Sequence, residues 1–296
     1  MIEAKPLVTL GMPLRNEGKH IAETLENLLK QDYPNFEIVI SDNASSDGTR
    51  EVCQAYQSKD SRISYHRLET PVDANENFNR LVSLAKGEFF AWASGHDRHA
   101  SNFISALVEP LISDPAAVLS YSEILPISSD GKPLGKLPTP IDTRGINGPV
   151  LRLILSFWHL GGYQIYGLFR TSAMKKTHLF PPRIMGPDLV MLSELALLGT
   201  FACVRAPLYS PRMNWTSETD FNKVLERYKR TMFFQKKPSS FPAWHYFAKQ
   251  LSTLSKASIG VRRKLFLLPI FIFLFMIKNF QILRDDFRRL TCQQAP

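Results

Sequence analysis

The fold is decided by the stretch VTLGMPLRNEGKHIAETLENLLKQDYPNFEIVISDNASSDGT, residues 8–49. Near its two ends, LVTLGMP (7–13) and FEIVISD (36–42) are short apolar runs bounded by turn residues, a pattern typical of buried strands. Between them apolar side chains recur at helical spacing, at Ile21, Leu25, Leu28 and Leu29. The stretch therefore predicts a strand, a helix and a second strand in succession.

The same alternation continues to residue 100. Asp47 is placed to cap a second helix, GTREVCQAYQSKD, by accepting a hydrogen bond from its free N-terminal amides. A strand (62–68), a helix (about 73–86) and the strand EFFAWA (88–93) follow. Regular alternation implies a mainly parallel sheet with helices on its faces. Ligands bind beyond the carboxyl ends of such strands, where the loops PLRNEG, DNASSDGT and SGHDRH all fall.

Residues 101–215 are less regular. The predicted elements are, in order, a helix (102–113), the strand AVLSYSEILPI, a hairpin or loop SSDGKPLGKLPTP, a helix (148–158), the strand QIYGLFR, the helix DLVMLSELALLG and the strand TFACVRAPLYSPR. Near residue 216 the composition becomes basic and aromatic. We therefore expect one α/β domain with two halves, 1–100 and 101–215, followed by a helical tail, 216–296.

The composition excludes several classes of protein. Of 296 residues, 44% are hydrophobic and 21% are charged, as in folded globular proteins. Cys53, Cys203 and Cys292 lie far apart and form no CxxC motif, so we expect neither disulfides nor a zinc knuckle. This pattern favours a protein located in a reducing compartment. The N-terminus has no basic segment followed by a long apolar run, so we expect no signal peptide.

The net charge of +9 is carried by the tail. Residues 216–296 contain 15 Lys and Arg against 5 Asp and Glu, whereas residues 1–215 contain 21 against 22. A basic tail suits either nucleic acid or an anionic membrane surface. The tail also contains thirteen consecutive apolar residues, Leu265–Ile277, broken only by the helix breaker Pro269. Such a run does not help to bind phosphates, so we expect no nucleic-acid binding.

The apolar run of the tail favours a membrane surface. As a helix it would be about 20 Å long at ~1.5 Å per residue, short of the ~30 Å hydrocarbon core. The flanking cations, Arg262, Arg263, Lys264 and Lys278, suit a segment that lies in the headgroup region. We predict a protein peripheral to the cytoplasmic face of a membrane. The alternative is a buried helix that covers the sheet.

The obvious nucleotide-binding motifs are missing. No GxGxxG follows the first strand and no GxxxxGK[ST] occurs in the sequence. In their place, Asp42 and Asn43 end a strand and can bond a ribose or a base edge, while Arg15 and Arg80 can offset phosphate charge. The alternative for each loop alone is that strand-end Asp and Asn side chains only form turns.

Together these features resemble the inverting family 2 glycosyltransferases, which have the A-type glycosyltransferase fold with a Rossmann-like sheet. The resemblance rests on the Pro-x-x-Asn-Glu loop of MPLRNE, on DNASSDGT, on NENFNRLVSLAKGEFFAW and on GPDLVMLSELALLGTF, and it covers about the first two-thirds of the chain. It implies a nucleotide-sugar site lined by Pro13, Arg15, Asn16, Glu17, Asp42, Asn43, Ser45, Asn77 and Arg80.

The resemblance also implies a divalent cation, Mn²⁺ or Mg²⁺, which would stabilise the departing diphosphate. The family's strand after Gly-Glu ends in paired carboxylates, but here only Asp97 remains and His96 stands at the first position. We expect Asp97 and His96 to be the ligands, since imidazole suits Mn²⁺ better than Mg²⁺. Asn214 stands near a position where the family often has a late histidine, so the alternative is a weak or metal-independent site. His99 is expected on the first turn of a helix.

The reaction also needs a base, because removing the proton from the attacking hydroxyl assists the attack. Asp188 follows Gly186 and Pro187 and opens an apolar helix, as the family's base does. Read from the local sequence alone, it is a helix N-cap, a role that Asp favours. Glu194, farther along the helix, is a weaker candidate.

The sequence thus predicts a hexosyltransferase-like enzyme of polysaccharide biosynthesis. It would transfer a sugar from a UDP-sugar to a hydroxyl of a lipid-linked or cell-envelope saccharide. One rival is a non-catalytic relative that binds nucleotide-sugars with a degraded metal site. A second rival is a nucleotidyltransferase, which normally has a Gly-rich loop with Lys or Arg after the first strand. Here that loop is GMPLRNEG, which contains only one arginine, so this rival is disfavoured.

Overall fold

The computed structural model describes residues 5–137, 141–159, 161–182, 186–213, 242–256, 260–262, 264–265 and 268–278. The predicted alternation of strand and helix is confirmed, with small shifts at the element ends. The strands are β1 (Val8–Leu14), β2 (Phe36–Asp42), β3 (Ile63–Arg67), β4 (Phe89–Trp92), β5 (Arg98–His99), β6 (Ala117–Ile124), β7 (Leu168–Arg170) and β8 (Thr200–Ser210). The helices are α1 (Ile21–Leu29), α2 (Thr49–Lys59), α3 (Ala74–Leu84), α4 (Phe103–Ser113), α5 (Pro149–His159), α6 (Thr171–Met174), α7 (Pro187–Leu198) and α8 (Pro242–Lys256).

The strands form one mixed sheet in the order β3-β2-β1-β4-β7-β6-β8-β5. β1 pairs in parallel with β2 and β4, β2 with β3, and β6 with β8, whereas β5 and β7 pair antiparallel with their neighbours. The mainly parallel sheet that the alternation implied is therefore confirmed.

The winding of the sheet reverses beside β1. The chain moves outward from β1 to β2 and β3, then returns to place β4 on the opposite side of β1. In open parallel sheets, ligands bind in the crevice beyond the carboxyl ends of the two strands where the winding reverses. Residues 15–17, which follow β1, and residues 93–97, which follow β4, leave the sheet at this crevice.

Pro13 lies inside β1, although proline has no amide to donate to a neighbouring strand. The pairing of β1 with β4 ends at Gly11 opposite Trp92, whereas β1 continues against β2 through Leu14. Beyond Gly11, the β4 side of the strand therefore needs no ladder amide, and proline is tolerated there.

Helices cover both faces of the sheet. One core joins β1 and β2 to α1, α2 and α4, with Leu25, Cys53 and Leu107 among its buried members. The other joins β4 and β7 to α3, α6 and α7 through residues such as Leu81 and Met191. The sheet is thereby held rigid, and its carboxyl edge can position loops accurately.

A third layer covers α7. Val190 of α7 packs with Leu153 and Phe157 of α5 and with Tyr246 of α8. The helix thus has the sheet on one side and other helices on the opposite side, which explains why its sequence is apolar all round. Its first turn carries Asp188.

Two sequence predictions for the second half need correction. The segment QIYGLFR is a strand only over Leu168–Arg170, because a 3-10 turn occupies Tyr163–Tyr166. The alternative prediction is that the tail covers the sheet, but its described buried residues Tyr246, Phe271 and Phe275 pack on α5 and α7. Its helical residues 268–278 pack through Phe271 and Phe275 on the third layer. None of the helices in the described ranges combines the length and apolar content needed to cross a bilayer.

Candidate active site

The loops after β1 and β2 are joined directly to each other. The amide of Asn16 donates to Ser45 Oγ at 2.9 Å, and the amide of Ser46 donates to Asn16 Oδ1 at 2.9 Å. The amide of Glu17 donates to Thr49 Oγ1 at 2.8 Å. Asn16 has φ +57°, a left-handed conformation that asparagine tolerates better than most residues. Two loops far apart in the sequence therefore form one surface at the sheet edge.

Asp47 supports the same junction. Its Oδ1 accepts hydrogen bonds from the amide and hydroxyl of Thr49, the first residue of α2, and its Oδ2 accepts one from the amide of Gly18 at 3.0 Å. Gly48 is the formal N-cap residue, and Asp47 satisfies a free amide of the helix from one position earlier. The predicted contact between Asp47 and the start of this helix is confirmed.

Asp42 is fully buried at the end of β2. Its Oδ1 accepts hydrogen bonds from the Ser45 amide at 2.9 Å and the Ser45 hydroxyl at 2.5 Å, and its Oδ2 accepts one from Tyr65 Oη at 2.5 Å. Arg67 Nε lies 3.9 Å from the same carboxylate. Asp42 thus fixes the conformation of the loop after β2, and Arg67 of β3 offsets its negative charge.

The other predicted donor residues are also tied into the edge. Asn43 exchanges two hydrogen bonds with the backbone of Val72, which fixes the loop before α3. Asn77 accepts a hydrogen bond from Ser41 Oγ at 2.6 Å, and Arg80 Nη1 donates to that oxygen at 2.6 Å. These contacts anchor α3 to the end of β2.

Arg15 and Pro13 differ from the buried members of the set. Arg15 is exposed directly after β1, and Pro13 is half-buried within that strand. An exposed guanidinium beside the crevice is available to a negatively charged ligand.

Glu17 and His96 face each other across the crevice between β1 and β4. His96 Nδ1 lies 3.0 Å from both carboxylate oxygens of Glu17. The hydrogen bond to Glu17 raises the pKa of His96, against the opposing effect of burial. This pair joins the loops that follow β1 and β4, so the loops after β1, β2 and β4 form one continuous site.

Asp97 is buried beneath this pair. Tyr209 Oη donates to its Oδ2 at 2.5 Å, and the amide of Arg212 donates to its Oδ1 at 2.7 Å. Burial raises the pKa of Asp97, although His96 and the hydrogen bond from Tyr209 oppose the shift. Asp97 therefore also joins β8 to the candidate site.

The fit of this site to a divalent cation depends on its donor atoms. His96 Nε2 lies 3.7 Å from Asp97 Oδ1, so the two predicted ligands are neighbours. In the described part of the chain, no group of three or more His, Cys, Asp or Glu could hold a metal ion. One carboxylate and one imidazole suit a cation that takes its remaining ligands from phosphate oxygens. Asn214, the residue at the late histidine position, lies outside the described residues.

The prediction for His99 is wrong. It lies in β5, which pairs with β8, and is not on the first turn of a helix. The side chain is buried between the rings of Phe103 and Tyr209, and neither ring nitrogen has a hydrogen-bond partner among the described residues. Burial lowers the pKa of His99 to about 4, so the imidazole is neutral and behaves as an apolar ring.

Asp188 lies in the first turn of α7, after the left-handed residue Gly186 at φ +57° and after Pro187. The N-cap residue of this helix is Gly186, two positions earlier, so the simple N-cap reading of Asp188 from the local sequence is wrong. Burial raises the pKa of Asp188 to about 6, and hydrogen bonds from backbone amides oppose that shift. A carboxyl with such a pKa can accept a proton near neutral pH.

The segment before α7 is tied to the same edge of the sheet as the donor loops. Asn79 of α3 exchanges hydrogen bonds of 2.9 and 3.0 Å with the backbone of Phe180. Asn75, also in α3, donates to the carbonyl of Pro181 at 3.3 Å. Within the described ranges, no hydrogen bond joins Asp188 to Asp42 or Asp97. Glu194 instead bonds His178 at 2.7 Å, away from the start of the helix.

Tyr65, Arg67, Tyr209 and Arg212 were not predicted as parts of the site. The parallel register of β2 with β3 places Arg67 opposite Asp42, so its role follows once that pairing is assumed. Tyr209 and Arg212 lie near Asp97 because β5, directly after Asp97, pairs with β8. A two-residue strand such as β5 leaves no periodic signal in the sequence.

The sequence matches the family described as Glycosyl transferase family 2 over residues 9–141. Glycosyltransferase GlyG of Streptococcus pneumoniae is 32% identical over 113 residues, which cover 38% of this chain and 38% of that protein. The GalNAc(5)-diNAcBac-PP-undecaprenol beta-1,3-glucosyltransferase of Campylobacter jejuni is 30% identical over 105 residues, which cover 35% of this chain and 34% of that protein. The chain thus spans only about a third of the length of these two relatives.

Among solved structures, S. aureus TarS 1–349 in complex with UDP-GlcNAc superposes with a TM-score of 0.64 at 17% identity. The match covers 88% of this chain and 69% of TarS 1–349. At this identity the likeness concerns the fold, and it confirms the predicted A-type glycosyltransferase fold. The family match over residues 9–141, the named relatives and this fold together support a family 2 glycosyltransferase.

Proposed function

We propose that this protein is an inverting glycosyltransferase. It moves one sugar from a nucleoside-diphosphate-sugar, most simply a UDP-sugar, to a hydroxyl of a lipid-linked or cell-envelope saccharide. The observation that carries the proposal is the convergence of the loops after β1, β2 and β4 at the crevice where the sheet reverses its winding. That crevice is where open parallel sheets bind nucleotides.

The proposed division of labour follows the two halves of the domain. Residues 1–100 bind the donor through the edge formed by Asp42, Asn43 and the loop 15–17, while residues 101–215 supply the acceptor side and the base. Arg15 offsets phosphate charge. The remaining members of the donor set, which are Pro13, Asn16, Glu17, Ser45, Asn77 and Arg80, shape the pocket around it.

Asp188 is the proposed base. The acceptor oxygen attacks the anomeric carbon, the bond from that carbon to the diphosphate breaks, and the hydroxyl proton passes to the Asp188 carboxylate. Its pKa of about 6, raised by burial, makes the carboxylate basic enough to take the proton while it remains ionised at neutral pH. A single displacement of this kind inverts the anomeric configuration.

A divalent cation, Mn²⁺ or Mg²⁺, would be held by Asp97 and His96 together with the phosphates of the donor. Such an ion stabilises the negative charge that develops on a leaving diphosphate. His96 would bind the ion as a neutral imidazole, so binding would displace a proton from a side chain whose pKa is raised by its hydrogen bond to Glu17.

The acceptor and the location are proposed together. The Campylobacter jejuni relative is named for an undecaprenol-linked substrate, and the tail of this chain is basic and apolar. Both support an acceptor carried by a lipid and an enzyme that works at the cytoplasmic face of a membrane.

Donor binding and transfer can be tested on the full chain. Thermal unfolding with UDP-, GDP- and TDP-sugars, with and without Mn²⁺, identifies the donor, because a ligand that binds only the folded state raises Tm. Transfer to a saccharide acceptor is then followed by NMR, and a product with the anomeric configuration opposite to the donor's is expected. Retention of configuration would overturn the single displacement.

A non-catalytic nucleotide-sugar-binding relative is the second candidate. It is favoured by the engagement of both Asp97 oxygens in hydrogen bonds and by the lack of a three-residue metal-binding group in the described ranges. This candidate predicts that UDP-sugars raise Tm while neither transfer nor hydrolysis is detected at any Mn²⁺ concentration.

A further inference from the structure

The exposed side of the tail helix is as apolar as its buried side. Phe271 and Phe275 pack against the domain, with 2% and 0% of their surface exposed. Phe273 lies between them in the sequence and is 64% exposed. Because each helical residue turns by about 100°, Phe273 points away from the two buried rings. The helix therefore presents a second apolar face to the outside.

Exposed tryptophans also lie on the two helices whose rings contact Phe275, and we call these tryptophans and the exposed apolar residues of the tail together the apolar patch. Phe275 stacks on Phe157 of α5, whose next residue, Trp158, is 44% exposed. Phe275 also contacts Phe247 of α8, which touches the exposed Trp244. The patch consists of Trp158, Trp244, Leu265, Leu268, Ile270, Phe273, Met276 and Ile277, all at least 36% exposed.

The described helices that carry the patch contain basic side chains and no acidic ones. Residues 227–284 contain no Asp or Glu, and α5 contains none either. The exposed Arg262 and the half-buried Lys264 precede this helix in the sequence, and Lys264 is followed by the exposed Leu265. Cations next to an exposed apolar face with tryptophans complement an anionic lipid headgroup layer above hydrocarbon.

The patch is also close to Asp188. Tyr246 of α8 packs with Phe275 at 5.5 Å between ring centroids. Burial raises the pKa of Tyr246, and the nearby charge of Asp188 raises it further. Tyr246 and Phe275 also share a core cluster with Val190 of α7, two residues after Asp188, so the inner side of the tail helix packs near the start of the helix that carries the proposed base.

We propose that the apolar patch is a docking surface for an anionic membrane leaflet and that it holds helix 268–278 flat in the headgroup layer. The inner face of the helix stays on the protein, and the outer face enters the lipid. In this orientation a lipid-linked acceptor approaches Asp188 from the membrane side. That last consequence depends on the proposed function, whereas the docking itself does not.

Vesicle flotation of the full-length protein tests the docking surface. The wild type is expected to float with vesicles of phosphatidylcholine and phosphatidylglycerol at 7:3, and much less with phosphatidylcholine alone or in 1 M NaCl. Phe273→Ser should lower the partition coefficient roughly tenfold, as expected for loss of much of one aromatic side chain's burial. Ile112→Ser is the matched control, because Ile112 is 55% exposed on α4, on the other face of the sheet, and it should float like the wild type.

Three results would overturn the docking surface. They are failure of the wild type to float, equal flotation of Phe273→Ser and the wild type, and an equal loss in Ile112→Ser. Sedimentation without vesicles detects the other occupant, since a wild-type dimer that Phe273→Ser dissociates would assign the patch to a second copy of this chain. Transfer to a soluble acceptor should be the same in the wild type and Phe273→Ser. Absence of that activity in both would remove the proposed function while leaving the flotation result intact.

Discussion

The donor edge, formed by Asp42, Asn43 and loop 15–17, differs from the third layer of helices, which covers α7 and which we call the helical layer. The difference lies in how many of their buried polar side chains have hydrogen-bond partners. At the donor edge, Asp42 accepts three hydrogen bonds, from Ser45 and Tyr65. In the helical layer, the hydroxyls of Ser156 and Thr253 are buried without a hydrogen-bond partner among the described residues. The donor edge is therefore organised before any ligand binds, whereas the helical layer contains buried hydroxyls that make no hydrogen bond to the described residues.

This difference indicates two kinds of site in one domain. A preorganised edge binds a ligand of fixed chemistry, such as a nucleoside diphosphate, without a reorganisation cost at the moment of reaction. Buried groups without partners cost stability, and they are tolerated where a ligand or water supplies the missing bond. The predictions below test this contrast, from the largest expected effect to the smallest.

The largest effect is expected for Asp188→Asn. The amide cannot take the proton, so transfer should fall by about 10²–10⁴-fold, while Tm shifts with the UDP-sugar remain unchanged because the donor edge is intact. Glu194→Gln is the control on the same helix and should keep near-normal transfer. Wild-type rates in Asp188→Asn would remove this residue as the base and leave the helical layer without its proposed role.

A matched pair of serine substitutions tests the contrast in stability. Ser45→Ala removes the hydroxyl that donates to Asp42 and accepts from the Asn16 amide, and should lower the free energy of unfolding by about 1–3 kcal/mol. Ser156→Ala removes a buried hydroxyl without a partner among the described residues, and should leave that free energy unchanged or raise it. Urea unfolding at pH 7 measures both. Equal losses would mean that the two regions do not differ in this way.

The pH dependence of transfer should reveal the environment of Asp188. Burial raises the pKa of Asp188 to about 6, and the base works only when deprotonated, so kcat should fall as the pH drops below 6. At pH 5 about a tenth of the carboxyl groups would be ionised, which predicts roughly a tenfold loss. Thermal shifts with the UDP-sugar at each pH separate this effect from donor binding. A flat rate from pH 5 to 8 would contradict the assignment.

The smallest effect is expected for Asp47→Ala at the donor edge. It removes the carboxylate that accepts hydrogen bonds from the amides of Thr49 and Gly18, and should lower the free energy of unfolding by about 1 kcal/mol, as for other helix-start residues. Ser46→Ala is the neighbouring control, because only the backbone amide of Ser46 bonds Asn16. Equal stability of the two variants would show that Asp47 does not hold the junction.

The first half of the fold could be predicted because its signals are local. The spacing of Ile21, Leu25 and Leu28 marks α1, and the apolar run 36–42 marks β2. The loops after β1, β2 and β4 could also be predicted to meet, since the carboxyl ends of parallel strands share one edge. The position of His99 could not be predicted, because β5 exists only through its pairing with β8.

The sequence by itself determined the alternating elements, the edge where the polar loops lie, the resemblance to family 2 glycosyltransferases and the basic apolar character of the tail. These follow from periodicity and composition, which each segment carries alone. Only the tertiary structure decided which polar atoms are satisfied, how burial shifts the pKa of Asp188, and which face of helix 268–278 is exposed. Those properties depend on contacts between residues far apart in the sequence, such as Asp97 with Tyr209 or Phe157 with Phe275.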